Sequence, residues 1–208
     1  MKQVTILDVG LGNLRSVARA FERAGTSPML SSDPDAIRRA DRLVLPGQGG
    51  FLACATALSA ELSGALREFL GSGKRYLGIC LGMQILFERS EEAPGAPGLG
   101  WFDGEVRRFS GGLTEPGTHA RLKVPHMGWN EVQGPTAFFA EPSWFYFVHS
   151  YHCVPGNDAL VAGRADYGIP FCAAVAKDNV FACQFHPEKS QDAGGRLIAH
   201  FLSEAPWS

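Results

Sequence analysis

Cys80 stands in an unusual place for a cysteine, between small residues where an apolar strand pattern gives way to a helical one. The pentapeptide GICLG at positions 78–82 has the pattern of a nucleophile elbow in which sulfur replaces the serine oxygen. A thiol at a helix N-terminus feels the positive end of the helix dipole, which favours the reactive thiolate. The same turn predicts that the Leu81 N–H donates to an oxyanion. A buried structural cysteine would not need the flanking glycines.

A base and a carboxylate follow a later strand pattern. His186 and Glu188 lie two positions apart, and Pro187 stiffens the loop between them. A cysteine nucleophile needs an imidazole that takes its proton and returns it to the leaving amine, and a carboxylate that holds the ring in one tautomer. Alone, such a loop could merely bridge to a surface helix. Together with the elbow, it predicts a Cys80-His186-Glu188 triad.

A glycine-rich loop follows the third predicted strand. The sequence PGQGG at positions 46–50 frees backbone N–H groups to point at an anion. We expect Gln48 and Gly49 to complete an oxyanion hole with Leu81, where one donor is worth roughly 3 kcal/mol of barrier. A flexible strand-to-helix turn is an equally simple interpretation of this loop taken alone.

Short apolar runs alternate with helical patterns in the first half of the chain, which is typical of a parallel sheet covered by helices. Strands are predicted at 4–7, 29–30, 42–45 and 75–79, and one long helix buries Leu58, Leu62 and Phe69. After Trp101, runs at 144–148, 159–162, 172–175 and 180–183 predict additional strands separated by turns. We therefore expect one α/β domain with a central mixed, mostly parallel sheet and extra antiparallel strands in its second half.

Composition limits the classes of function. The 208 residues, 45% of them hydrophobic, fill one large core. A net charge of -2, from 19 basic and 21 acidic residues, leaves no electrostatic footprint for nucleic acid or an anionic membrane. Five cysteines without paired spacing indicate a reducing compartment. Because the first eight residues do not have the pattern of a signal peptide, we expect a cytoplasmic protein.

Longer segments resemble a known family. The sequences GICLGMQ at 78–84 and QFHPEKS at 184–190 resemble the triad glutamine amidotransferases. Three more, DVGLGNL at 8–14, VPHMGWN at 124–130 and YFVHSY at 146–151, are similar to the glutaminase subunits of imidazole glycerol phosphate synthase in histidine biosynthesis. The resemblance spans the whole chain. It implies a type 1 glutamine amidotransferase domain over residues 1–208, with a flavodoxin-like fold.

The resemblance also implies a substrate and a reaction. Glutamine would be held by Gln84, Ser150 and Tyr151, and Cys80 would become a glutamyl thioester that water hydrolyses to glutamate. The ammonia would pass through a channel to a (β/α)₈-barrel cyclase in a heterodimer. The cyclase would form imidazole glycerol phosphate and aminoimidazole carboxamide ribotide. A sealed channel keeps ammonia unprotonated and therefore nucleophilic.

The partner contacts implied by the resemblance lie mostly in one segment. They are Asn13, Pro125, His126, Met127, Trp129, Asn130 and Lys189. Aromatic residues and methionine are enriched at buried interfaces, which fits Trp129 and Met127. From the sequence alone, Trp129 could equally belong to the core.

Two further patterns lead us to expect neither cofactor nor metal. The run at 10–15 begins like a dinucleotide fingerprint, but Arg15 occupies the place of the third glycine. His149 and His152 would point to opposite faces of one strand, which disfavours a metal site. The family often has another aromatic residue at position 152. We expect His152 itself to lie on the surface. Gln48 stands where this subunit often has valine, although a backbone donor survives that change.

Three alternatives remain open. One is the glutaminase of another synthase, such as anthranilate or aminodeoxychorismate synthase, although those subunits usually have histidine at the position of Met83. Another is an inactive scaffolding subunit, which predicts the loss of a triad residue. The third is a stand-alone cysteine hydrolase of peptides or γ-glutamyl compounds.

Overall fold

Strands and helices alternate through the first half of the chain. The structure is a computed structural model that describes residues 3–115, 117–139, 141–203 and 205–206. The strands are β1 Val4–Leu7, β2 Met29–Ser31, β3 Arg42–Gly47, β4 Arg75–Cys80, β5 Arg89–Ser90, β6 Gly104–Arg108, β7 His126–Val132, β8 Ser143–His149, β9 Tyr151–Pro155, β10 Val161–Asp166, β11 Pro170–Lys177 and β12 Val180–Cys183. The helices are α1 Leu14–Arg23, α2 Pro34–Arg39, α3 Phe51–Ala57, α4 Ala60–Gly71, α5 Leu81–Gln84 and α6 Gln191–Leu202.

A large mixed sheet forms the centre of the protein. Its strands lie in the order β2-β1-β3-β4-β12-β11-β9-β6-β5, and β10 branches from this order by pairing with β11. The pairs from β2 to β12 are parallel, whereas β11 is antiparallel to β12, β9 and β10. Strands β7 and β8 form a separate antiparallel ribbon. The predicted single α/β domain with a mixed, mostly parallel sheet is therefore confirmed.

Helix α1 shows how local sequence sets the boundaries of these elements. The Asn13 side chain accepts a hydrogen bond from the Ser16 N–H at 3.2 Å and caps the N-terminus. Val17 and Phe21 face inward, and the ring of Phe21 meets Phe201 of α6 edge-on at 5.9 Å. Gly25 ends the helix with φ at +86°, which a side chain would disfavour.

Two predicted elements differ from the observed ones. The helix predicted to bury Leu58, Leu62 and Phe69 is α4, but it begins only after Leu58, because the Ser59 hydroxyl accepts from the Leu62 N–H at 3.3 Å and caps a new helix. The strand predicted at 159–162 begins instead as a 3₁₀ helix, Asp158–Leu160, because the Asn157 side chain accepts from the Ala159 N–H at 2.9 Å. In both places a side-chain oxygen accepts a hydrogen bond from a backbone N–H group and so changes where the regular element begins.

The parallel strands bring the predicted site residues to one edge of the sheet. Gly47 at the end of β3 pairs with Cys80 at the end of β4, and Cys183 at the end of β12 pairs with Ile79. The loop at 48–50 and the segment after β12 therefore begin beside the nucleophile. Ligands bind at such carboxyl ends in open α/β sheets.

All five cysteines are buried and unpaired. Burial raises the pKa of Cys54 and Cys172 to about 12 and that of Cys153 and Cys183 well above the ordinary thiol value. These four thiols are therefore inert. Within the described ranges, no helix combines the length and apolar character needed to cross a membrane.

Candidate active site

Cys80 occupies a strained turn between β4 and α5. Its φ is +55° and its ψ is -103°, which is rare for a residue with a side chain. Strain of this kind is concentrated at functional sites, and a strand-to-helix turn with a strained nucleophile is the hallmark of an elbow.

The two flanking glycines serve close packing and not the turn itself. A Cβ on Gly82 would collide with the carbonyl oxygen of Leu45, and one on Gly78 would collide with the carbonyl oxygen of Gly82. The left-handed conformation falls on Cys80 and not on either glycine. Gly82 therefore lets the elbow lie directly against β3, and Gly78 lets the chain after the nucleophile fold back over the end of β4.

His186 and Glu188 form a buried pair. His186 Nδ1 lies 2.8 Å from Glu188 Oε1, and the side chains are only 2% and 3% exposed. The His186 backbone N–H donates to the Tyr146 carbonyl at 2.9 Å, and the Ser190 hydroxyl donates to the His186 carbonyl at 2.6 Å. This frame fixes the ring from both sides.

The charge of His186 is governed by its two neighbours. Burial alone lowers the pKa of His186, but its interactions with Cys80 and Glu188 outweigh burial and raise that pKa to about 9. Within the part of the chain that the structure describes, His186 Nε2 is buried without a partner at strict hydrogen-bond geometry. The imidazolium form is favoured at neutral pH, which suits a ring that has received the proton of a thiol.

A cavity of about 410 Å³ opens above Cys80, within the range of small-molecule sites. It is lined by Gln48, Gly49, Cys80, Leu81, Gln84, Glu92, Pro125, Tyr146, Val148, His149, Ser150, Tyr151 and Lys189. The residues that the sequence predicts for the oxyanion hole and for substrate binding therefore line one cavity. A Cβ on Gly47 would lie 2.6 Å from the Leu81 Cβ, so a glycine there lets the loop approach the elbow.

Sequence reasoning missed two polar residues behind this cavity. Gln184 Nε2 donates to Cys80 Sγ at 3.5 Å, and His149 Nδ1 lies 2.8 Å from the Tyr151 carbonyl oxygen. A signal for the first was present, because Gln184 lies two positions before His186, and alternate residues of an extended segment share a face. His149 was considered only as a metal ligand.

Two expectations about the histidines were wrong. His149 and His152 do not point to opposite faces, because the chain bends at Ser150 between β8 and β9, and both rings pack against Phe109, at 5.2 Å and 4.7 Å. His152 is not on the surface, since it is only 9% exposed. The described residues contain no group of three or more His, Cys, Asp or Glu side chains placed to hold a metal ion.

His126 and His149 form a buried pair of neutral rings. His126 Nδ1 lies 3.0 Å from His149 Nε2. Burial lowers the pKa of His126 to about 4 and that of His149 to about 3. Both rings therefore act as neutral donors and acceptors at physiological pH.

Most of the residues predicted to contact a partner are accessible on the β7–β8 ribbon and nearby. Met127 is 63% exposed and Trp129 43% exposed, so Trp129 does not belong to the core. Asn13 and Pro125 are also exposed, and Asn130 and Lys189 are half-buried.

His126 differs from the other predicted contact residues. It is only 3% exposed, and its ring stacks on Phe147 at 4.9 Å and Tyr167 at 4.0 Å. Its side chain is therefore out of reach of a partner surface, because the alternation along β7 turns it inward while Met127 and Trp129 face outward.

The fold and the strained cysteine beside a buried His-Glu pair define a class of enzyme. The chain belongs to the class-I glutamine amidotransferase family, whose model matches residues 5–205. Among solved structures, a glutamine amidotransferase aligns with a TM-score of 0.73 at 18% identity, covering 95% of this chain and 97% of that one. PurLQS from Thermotoga maritima aligns with a TM-score of 0.71 at 19% identity, covering 98% and 100%. These two likenesses concern the fold alone.

Curated relatives identify the branch of the family. The chain is 46% identical to imidazole glycerol phosphate synthase subunit HisH of Methylococcus capsulatus, over 100% of this chain and 99% of the relative. It is 48% identical to the subunit of the same name from Syntrophotalea carbinolica, over 95% and 98%. The chain thus groups with the HisH subunits at nearly full length.

Proposed function

We propose that this chain is the glutaminase subunit of an imidazole glycerol phosphate synthase, and that it hydrolyses glutamine to glutamate and ammonia. The observation that carries the proposal is the buried His186–Glu188 pair beside the strained Cys80 in a cavity of small-molecule size. The full-length similarity to HisH subunits supports the choice of synthase.

The proposed reaction begins with attack of the Cys80 sulfur on the side-chain amide carbon of glutamine. The oxyanion that forms accepts hydrogen bonds from backbone N–H groups of Leu81, Gly49 and Gln48. His186, charged at rest, gives its proton to the leaving nitrogen, and the C–N bond breaks to release ammonia and leave a thioester.

Water then completes the cycle. The neutral His186 takes a proton from water, whose oxygen attacks the thioester carbon, and the C–S bond breaks to release glutamate and restore the thiolate. Glu188 holds Nδ1 of the ring, so that Nε2 handles both proton transfers.

Substrate binding is assigned to three polar residues of the cavity wall. Gln84, Ser150 and Tyr151 line it. The Gln84 nitrogen is already engaged by the Tyr151 carbonyl at 3.3 Å and by Gln184 Oε1 at 3.0 Å. The carbonyl oxygen of Gln84 is therefore the atom of that side chain left to accept a hydrogen bond from glutamine.

We assign the partner surface to the outer face of the β7–β8 ribbon and its surroundings. Trp129 lies 6.2 Å from the Tyr146 ring, and Lys189 Nζ lies 5.8 Å from the same ring. Because Tyr146 and Lys189 also line the cavity, this surface is continuous with the site where ammonia would be released. Asn13, Pro125, Met127 and Asn130 belong to the proposed contact with a (β/α)₈-barrel cyclase in a heterodimer, through which ammonia would be channelled.

Two alternatives are less well supported. A glutaminase of another synthase shares the triad, but the curated relatives reported above carry the HisH name. An inactive scaffold would have no reason to keep Cys80 in a strained conformation beside a buried ion-pairing histidine. We further propose that residues 1–208 form one amidotransferase domain that acts in the cytoplasm.

The test of the proposal is a Cys80→Ala variant in complex with the cyclase. We expect glutamate release to be lost, while the complex supplied with ammonium salt still forms imidazole glycerol phosphate. Cys172→Ala is the matched control, since it removes another buried thiol and should keep glutaminase activity. Glutamine hydrolysis by Cys80→Ala at the wild-type rate would refute the triad. Because the chain is proposed to act as a subunit of a synthase, we expect the cyclase to stimulate its glutamine hydrolysis. Rapid hydrolysis by the isolated chain, unchanged by the cyclase, would refute that coupling and favour a stand-alone hydrolase.

A further inference from the structure

A buried amide outside the triad faces the nucleophile. Gln184 follows β12 and has no exposed surface. Its Nε2 lies 3.5 Å from Cys80 Sγ, and its Oε1 accepts from Gln84 Nε2 at 3.0 Å. We propose that Gln184 is a catalytic residue that donates a hydrogen bond to the Cys80 thiolate and so stabilises and aims the nucleophile. This inference rests on the proposed function, because it concerns the nucleophile of the proposed triad.

The direction of this hydrogen bond is fixed by the backbone. An amide side chain can be turned over, which exchanges its nitrogen and oxygen, so its surroundings must decide the orientation. The Tyr151 carbonyl can only accept, and Gln84 must therefore present its nitrogen there. The same nitrogen reaches Gln184 Oε1. Gln184 consequently presents its own nitrogen to the sulfur, because the reverse orientation would set two donors against each other.

A second arm holds the same carbonyl. His149 Nδ1 lies 2.8 Å from the Tyr151 oxygen and must donate to it, so His149 Nε2 must accept. The donor to Nε2 is His126 Nδ1 at 3.0 Å. Hydrogen bonds from His149 and Gln84 hold the Tyr151 carbonyl in place. This carbonyl can only accept, so it fixes which atom of each neighbouring side chain donates. The chain of hydrogen bonds thus runs from strand β7 to Cys80.

A hydrogen bond at this position favours the charged form of sulfur. A thiolate accepts a stronger hydrogen bond than a thiol does, because charge-assisted bonds exceed neutral ones. The thiol proton goes to His186, while Gln184 keeps both of its amide protons throughout. The bond weakens as sulfur becomes the neutral thioester and is restored when hydrolysis frees the thiolate. Gln184 therefore supplements His186 without exchanging protons.

The test is the pH dependence of Cys80 alkylation by iodoacetamide, measured without glutamine. Burial raises the pKa of Cys54, Cys153, Cys172 and Cys183, which leaves Cys80 as the reactive thiol, and Cys80→Ser gives the background. Gln184→Glu keeps the size and the acceptor for Gln84 but loses the donor at neutral pH. Gln184→Met loses both.

We expect the midpoint of the alkylation curve to rise by about one pH unit in Gln184→Met, with an approximately tenfold lower rate on the acidic side. Gln184→Glu should raise it further, because an anion then faces the thiolate. The other titratable groups that interact with Cys80 or share its cavity are His186, Glu188, Glu92, His149, Tyr146, Tyr151, Lys189, Cys54, Cys153 and Cys183. They are the same in every variant, so the difference between variants isolates residue 184.

Kinetics separate this role from simple packing. Gln184→Met should lower kcat for glutamine about tenfold and change KM less than about twofold. The matched control is Gln133→Met, which changes an exposed glutamine and should leave both curves unchanged. A wild-type alkylation midpoint in a folded Gln184→Met would overturn the proposal, even if its stability to urea were lower.

A measurement on the unaltered chain covers the case in which the variants fail to fold. In NMR spectra of the wild-type protein, a side-chain amide proton of Gln184 should shift across the same pH range as alkylation and again after the sulfur is alkylated. An amide signal that is unmoved by both treatments would overturn the proposal. Alkylation does not require glutamine, so a shifted midpoint in a chain without glutaminase activity would refute the substrate and leave the role of Gln184 standing.

Discussion

Glu188→Gln removes the charge beside His186 while keeping the shape of the side chain. The pKa of His186 is raised from 6.5 to about 9 against the effect of burial. That difference corresponds to about 3 kcal/mol of net preference for the imidazolium. An opposite charge at hydrogen-bond distance moves a pKa by about one to three units, so loss of the carboxylate should lower the pKa of His186 by at least about one unit.

The variant should therefore change both the position and the height of the pH–rate curve. His186 keeps its proton below its folded pKa and loses it as pH rises, so the upper limb marks loss of the acid that protonates the leaving amide nitrogen. We expect that limb to move from about pH 9 to about pH 8. An amide at 188 can also donate to Nδ1 and select the wrong tautomer, which should lower kcat by about 10²-fold.

The assay is glutamate release by the complex with the cyclase, measured from about pH 6 to about pH 10. Glu22→Gln, on the exposed side of α1, is the matched control and should behave as wild type. An upper limb unmoved within a few tenths of a unit, together with an unchanged kcat, would show that Glu188 neither charges nor orients the ring.

Three further predictions concern packing, acid stability and assembly. Gly82→Ala should lower the free energy of unfolding in urea by about 3 kcal/mol, because its Cβ would collide with the Leu45 carbonyl. The control is Gly195→Ala, whose Cβ meets nothing within 4 Å and should not destabilise the protein. Equal stability of the two variants would contradict the packing argument. In the unfolded state His149 takes up a proton below about pH 6.5. In the folded state burial lowers the pKa of His149 to about 3. The free energy of unfolding should therefore be highest above about pH 6.5 and should decrease as pH falls toward about 3. His149→Gln should flatten that dependence in urea titrations and exposed His119→Asn should not, and the opposite ranking would be inconsistent with a buried neutral ring. Trp129→Ala should weaken binding of the cyclase in calorimetry by about 2 kcal/mol without altering stability, whereas Met29→Ala, on the edge strand β2, should leave binding intact, and unchanged affinity in the tryptophan variant would move the interface elsewhere.

Much of the fold could be predicted from local patterns. The apolar runs that became β1, β3, β4 and β12 are continuous, as expected of strands buried on both faces. Where prediction failed, a single side chain decided the outcome, as when the Ser59 hydroxyl capped a new helix. Periodicity describes which face is buried and does not detect such a bond.

The candidate site divides in the same way. Cys80, His186 and Glu188 were identified from neighbours within a few positions, since an elbow and a His-Pro-Glu loop are local features. The inward turn of His126 and the burial of His152 were not. The pairing of β7 with β8 decides which face of β7 is buried, and the bend at Ser150 resets the alternation between His149 and His152.

The sequence alone determined which groups are available for chemistry and where the chain can bend to present them. Only the tertiary structure decided which of those groups meet. Gln84, Tyr151 and Gln184 are far apart in the chain. Gln84 and Gln184 meet because the parallel strands β4 and β12 end at a common edge, and the antiparallel strand β9 begins there with Tyr151. The direction in which Gln184 donates follows from one backbone carbonyl, because a carbonyl oxygen has no proton to give.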